Sequence, residues 1–210
     1  METKRSRRLC SESFQVNGLS FSFGDQKSMP QFTSSAVYVR GLGRGVATYG
    51  KSDALRRLGG DVVARMLDEP ASQPWWPQPD VVAFCTAIHE AGGETLMADV
   101  GRFVVKDSIS LVVQPFVRMV SALGVVTPAT FLSRFGQFSL TAIRNVLFHW
   151  TERSPTSGEL VIEYPPGVPP LLAPLWLGAI EYTYEVARCG GRPTVITTRG
   201  PRFVFAVQWQ

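Results

Sequence analysis

The stretch RNVLFHWTERSPTSGELVIEYP, Arg144 to Pro165, decides the fold class. Its first half alternates, with Val146, Phe148 and Trp150 on one face; its second half alternates again, with Leu160, Ile162 and Tyr164. A period of two sends successive side chains to opposite faces of a strand. SPTSG between the halves is turn chemistry. The pattern predicts a β-hairpin with a five-residue loop. Downstream, the period lengthens. LLAPLWLGAIEYTYEVAR predicts a helix over residues 171–188, stopped by Gly190 and Gly191, with Leu175, Ala179, Tyr182 and Val186 on its apolar face and Trp176 beside them. RPTVITT, the turn RGPR and FVFAVQW then form a second hairpin.

Upstream of Arg144 the chain reads mainly as helix. KSDALRRLGGDVVARMLD starts at a Ser52 cap and spaces Leu55, Leu58, Val62, Met66 and Leu67 helically, with Gly59 and Gly60 splitting it. Residues 79–91 form a short helix with Pro79 in its first turn, an apolar stripe of Val81, Phe84, Cys85 and Ile88, and a stop at Gly92 and Gly93. Leu96, Met97, Val100, Phe103 and Val104 form the next face. After a break near Lys106 to Ser108, Leu111, Val112, Phe116, Met119, Val120 and Leu123 continue it, with Pro115 as a kink. Thr127 caps a short helix that ends at Gly136. Earlier, SSAVYVRGL (Ser34 to Leu42) alternates and predicts a strand, and GLGRG after it reads as a flexible turn. It lacks the full dinucleotide fingerprint and any following Lys-Ser/Thr pair, so it is no phosphate loop.

The fold class is therefore α+β: N-terminal helices packed on one face of a C-terminal antiparallel sheet in ββαββ order. Residues 34–210 read as a single domain and residues 1–33 as a flexible arm.

Composition narrows the function. Of 210 residues 45% are hydrophobic and only 18% charged, which leaves room for a pocket or an apolar contact face. No apolar run approaches the roughly 18 residues of a membrane helix, and the basic start METKRSRR has no apolar segment behind it, so it is not a secretory signal. Its charges read as a solvated tail, not as a nucleic-acid grip. Cys10, Cys85 and Cys189 are scattered and odd in number. They point to free thiols in a reducing, cytoplasmic setting, with no disulfide framework and no zinc site. The two histidines, His89 and His149, have no H-E-x-x-H context and no nucleophile nearby in sequence. No catalytic residue, metal site or cofactor is expected.

Two tryptophans, Trp75 and Trp76, stand between Pro74 and Pro77 just ahead of the helix at 79. They are either a partner-binding platform or a clamp over the helix start, and the clamp is favoured for at least one. An indole buries on the order of 200 Å², too much to leave in water without cause.

The order of these marks resembles a family of paralogous myxobacterial proteins of similar length. The marks are VYVRGL, ALRRLGG with VVARML, WWP before a helix, ADVGRF, SGELVIEY, WLGAIEYTYEVARCGG and FVFAVQW. The layout of helices followed by ββαββ is similar to a ligand-binding fold shared by haem nitric-oxide sensors, 4-vinyl reductase domains and vesicle-tethering subunits. The haem sensors of that group carry a Tyr-x-Ser-x-Arg motif for the propionates. YTYEVAR (Tyr182 to Arg188) does not fit it, and three scattered cysteines do not supply the cysteine cluster of the vinyl reductases.

The expected function is a non-catalytic binding or signalling module that holds a hydrophobic small molecule between helices and sheet, with Phe116, Met119, Phe131, Phe148, Trp176 and Tyr182 as walls. A dry, filled core of the same six residues is the plainer reading. The alternative function is a protein-interaction or scaffolding domain acting as a homodimer through Trp75 and Trp76.

Overall fold

The computed structural model describes residues 30–108 and 126–210, together with two short paired strands, β1 (Gln15–Val16) and β2 (Leu19–Ser20). Strand β3 (Thr33–Ser35) runs directly into helix α1 (Ala36–Thr48), and α2 (Ser52–Asp68) follows. Strand β4 (Trp75–Pro77) opens α3 (Gln78–Ser108). From residue 126 come α4 (Pro128–Leu132), α5 (Phe135–Ser139) and β5 (Ile143–Arg144). The rest is a hairpin of β6 (Leu147–Ser154) and β7 (Ser157–Glu163), helix α6 (Ala173–Ala187), and a hairpin of β8 (Thr194–Arg199) and β9 (Arg202–Gln208).

The two hairpins merge into one antiparallel sheet of order β6-β7-β9-β8. Phe148 pairs with Ile162 and Ile162 with Phe203; Trp150 pairs with Leu160 and Leu160 with Phe205. Direct pairing puts these side chains on one face, and Leu160, Ile162, Phe203 and Phe205 are fully buried there. Helix α6 lies against that face through Trp176, whose ring meets Phe148 edge-on at 5.3 Å. On its far side α6 crosses α3. At Gly178 an added Cβ would run into the Ala98 carbonyl, and at Gly101 into the Leu175 carbonyl, so the two helices meet backbone to backbone. Helices α1 and α2 pack on α3 in turn. Loss of apolar exposure along these layers is the main stabilising term.

One expected strand is a helix. Residues 36–42, read as strand from their alternation, belong to α1. Ser35 sits in extended backbone as the N-cap and accepts a hydrogen bond from Tyr38 N at 3.3 Å. Tyr38, Val39, Leu42 and Val46 then fall at helical spacing and are buried, while Val37 is exposed. The expected glycine-rich turn lies inside the same helix. Gly45 approaches α3 so closely that a Cβ would stand 3.2 Å from Val100 Cγ1. Packing has overridden β-propensity here.

The pairs Gly59–Gly60 and Gly92–Gly93 break helices as expected, and neither inserts a loop. Gly60 (φ 62°, ψ −161°) and Gly93 (φ 67°, ψ −161°) adopt the same backbone state, one almost restricted to glycine. The kink at Gly60 shifts the helix phase, so Leu55, Val63 and Met66 are buried and Leu58 faces solvent. Lys51 replaces Ser52 as the N-cap of α2. Thr127 does cap α4, in a reciprocal pair with Thr130, but Gly136 starts no exit and lies within α5. The first hairpin loop is tighter than expected: Ser154 pairs with Ser157, leaving Pro155 and Thr156 as the turn.

Most of the arm expected over residues 1–33 lies outside the described residues. Its last part is built in: Phe32 is buried and packs edge-on against Tyr164 at 5.1 Å. The Phe32 amide donates to Gln78 Oε1 at 3.2 Å, and Gln78 Nε2 donates to the Pro166 carbonyl at 3.0 Å. One buried amide thus fastens three distant parts of the chain.

Candidate functional site

A cavity of about 280 Å³ opens between helices α1, α3, α5 and α6. Ser35 and Tyr38 come from the start of α1; Gly101, Val104 and Val105 from α3; Phe135 and Phe138 from α5; Ile143 from β5; Leu175, Trp176 and Ala179 from α6. Each is where it is for a local reason. The Ser35 cap turns Tyr38 inward. Gly101 is a glycine because the α6 backbone at Leu175 occupies the place of a Cβ. Trp176 is fixed by rings, edge-on to Phe135 at 5.8 Å and Phe148 at 5.3 Å, and by its Nε1 donating to Tyr164 Oη at 2.9 Å.

The wall carries no charged side chain among the described residues. Its small hydroxyls are spent locally: Ser35 Oγ on the α1 cap, Ser139 Oγ on the Phe135 carbonyl at 2.7 Å, Thr141 Oγ1 on the Phe138 carbonyl at 3.1 Å. The volume is near the lower end of the roughly 300–1,000 Å³ of small-molecule pockets, and the mostly apolar lining is typical of them.

Burial sets the ionisation of the groups beside it. The Tyr38 hydroxyl is held well above the ordinary tyrosine range by burial first, then by Tyr164 and Cys85. Burial pushes Tyr164 up as well, only partly offset by the Trp176 hydrogen bond. Burial pushes the Cys85 thiol up to about 12. These groups cost nothing while both folded and unfolded chains keep their protons. Above about pH 9 the unfolded thiol ionises and the folded one does not, so stability falls as pH climbs towards about 12. Urea midpoints are expected to hold steady from pH 7 to about 8.5 and then decline steadily; a flat profile up to pH 11 overturns this account of the interior.

The six walls expected from sequence are dispersed. Trp176 lines the cavity. Phe131 and Tyr182 line a smaller adjoining space of about 20 Å³, which shares Val105, Phe135 and Phe138 with the larger one. Phe148 stands behind the wall, against Trp176 and Phe135. Phe116 and Met119 lie outside the described residues. Sequence reading missed Tyr38, which a strand would have placed elsewhere, and Phe135, which sits beside a glycine read as a helix end.

Trp76 is fully enclosed, and its Nε1 donates to the Pro70 carbonyl at 2.8 Å. It lies on strand β4, which pairs with β3 and leads straight into α3, and the Arg65 guanidinium of α2 stands 5.3 Å from its ring. Trp75 is half-buried with the Arg144 guanidinium 3.7 Å above its ring. Any partner contact at this pair falls to Trp75.

Comparison with solved structures decides the fold. The chain superposes on an H-NOX structure solved to probe haem distortion in that family, with TM-score 0.60 and 11% identity, covering 84% of this chain and 95% of that one. This is an H-NOX-like fold. The Fe(II) unliganded H-NOX protein from K. algicida gives TM-score 0.60 at 9% identity, covering 84% and 96%. An oxygen-binding H-NOX domain related to soluble guanylate cyclases, in its oxygen complex, gives 0.52 at 12%, covering 83% and 92%. No protein-family model matches the chain, and no curated protein does.

The H-NOX structures direct attention to haem, and the residues here do not fit it. An axial ligand is a histidine, a thiolate, a methionine or a tyrosinate. The whole sequence holds two histidines. His149 is exposed on β6, on the face opposite Phe148, and His89 is on α3 away from the cavity wall. Cys85 and Tyr38 keep their protons. Among the described residues no methionine lines the cavity, and no arginine or lysine does so to meet a propionate. Among the described residues no group of His, Cys, Asp and Glu is placed to hold a metal ion, and no helix is long and apolar enough to cross a membrane.

Proposed function

We propose that the chain is a non-catalytic binding module of H-NOX-like fold that holds a hydrophobic small molecule, and not haem, in the cavity between α1, α3, α5 and α6. The observation that carries this is the cavity itself, with no charged side chain among its described walls, which come from four helices and strand β5. A ligand contacting all four helices ties their relative positions together, which is how occupancy becomes a signal to a partner. The free thiols Cys85 and Cys189 support a reducing, cytoplasmic setting, and the shared order of sequence marks supports a place among the myxobacterial paralogues.

Thermal unfolding against fatty alcohols, fatty acids, isoprenoids and haemin tests the reading. At least one apolar compound is expected to raise Tm by several degrees, as ligand well above its Kd does. The rise is expected to vanish in Ala179→Leu, which fills the cavity from a buried position in α6, while haemin gives no ligated Soret spectrum. If no compound stabilises the wild type, or haemin binds with an axial-ligand spectrum, the proposal fails.

A further inference from the structure

The cavity has one polar group to spare. Tyr38 is 8% exposed and lines the cavity, and its hydroxyl makes no hydrogen bond to the described residues, although it is not among the fully buried unpartnered polar atoms. A hydroxyl that faces an apolar cavity takes its partner from whatever occupies it, water or ligand. The nearest ionisable neighbours, Tyr164 and Cys85, are not among the residues that line the cavity: Tyr164 Oη accepts from Trp176 Nε1 behind the wall, and Cys85 is in any case a weak donor. Among the described residues the rest of the wall is apolar apart from small hydroxyls that bond locally, and none of them would neutralise a charge.

We propose that the ligand is an uncharged, mainly apolar molecule with one hydrogen-bond acceptor, such as a ketone, ester or ether, and that the Tyr38 hydroxyl donates to that acceptor. This rests on the cavity reading above and narrows it to a ligand class. Carboxylates such as fatty acids are excluded, because a carboxylate buried without a cation or a set of donors loses far more hydration than one phenol restores. Tyrosine suits the task because it stays protonated in this setting and is a donor at every physiological pH.

The test uses three probes of one shape: acetonaphthone, isopropenylnaphthalene and naphthoate. They present a carbonyl, an isosteric methylene and a carboxylate on the same ring system. Equilibrium dialysis against wild type and Tyr38→Phe at pH 7 gives the dissociation constants. Acetonaphthone is expected to bind about three- to tenfold more weakly to Tyr38→Phe, the effect of one net hydrogen bond. Isopropenylnaphthalene is expected to bind both forms alike, which also shows that the variant keeps its cavity. Naphthoate is expected to bind neither. Equal acetonaphthone affinity in the two forms overturns the role of Tyr38 and leaves the cavity reading standing. Naphthoate binding as tightly as the ketone overturns the uncharged class. Failure of all three probes on wild type overturns the cavity reading and this inference with it.

Discussion

Gly178→Ala is expected to lose about 3 kcal/mol or more of stability, at or above the upper end for an overpacked site. The reason is geometric. The added Cβ would overlap the Ala98 carbonyl and stand 2.9 Å from the Arg102 amide, and both are backbone of α3. A side chain in the way could rotate; a helix backbone must be pushed. Gly101 meets the Leu175 backbone in the reciprocal sense, so the crossing cannot slide to relieve either contact. Moving α3 away from α6 would also pull apart the walls of the cavity and the Arg102 pairs with Glu181 and Glu185 that span the same crossing. Gly190→Ala is the control, since nothing lies within 4 Å of its added Cβ, and it is expected to stay within about 0.5 kcal/mol of wild type. Urea denaturation of both variants measures the difference. Comparable losses would mean that α3 and α6 are not in backbone contact.

The two adjacent tryptophans are expected to separate sharply. Trp76→Ala removes a fully buried indole and its bond to the Pro70 carbonyl, for a loss of about 3–5 kcal/mol. Trp75→Ala removes a half-buried ring under Arg144, for about 1 kcal/mol or less. The same denaturation curves decide it. Equal losses from the two would show that the enclosure of Trp76 by β4, α2 and the start of α3 has been misjudged.

Much of the layout could be read from residue patterns, and the reasons are local. Phe148/Trp150 and Leu160/Ile162 alternate because the sheet has one wet face and one covered face. The pairs Gly59–Gly60 and Gly92–Gly93 disclosed helix breaks because few other residues accept that backbone state. The first helix was hidden for an equally definite reason. Val37 and Val39 alternate as a strand would, three glycines argue against a helix, and the deciding facts are a serine cap and the distance to α3. The cap is a single contact over three residues that the alternation outweighs, and the distance to α3 is not local in sequence.

The cavity was less legible than the fold. Large apolar residues on helix faces were the only guide, and a large ring fills space as readily as it borders it. Phe148 fills; Trp176 borders. What makes the space is the pairing of large residues with small ones, Gly101 and Ala179 opposite Tyr38 and Phe135, from elements far apart in the chain. The unpaired hydroxyl at Tyr38 appears only once residues 36–42 are helical.

The Gln78 clasp carries a consequence for how this molecule breathes. It spans 46 residues to Phe32 and 88 to Pro166, and contacts of such separation are assembled after shorter loops have closed. Strand β3, which it secures, is three residues long and feeds straight into the turn bearing Tyr38. Gln78 shares the hold on this seam with the pairing of β3 to β4 and β5, so loss of its side chain would loosen one rim of the chamber while the sheet and α6 keep their packing.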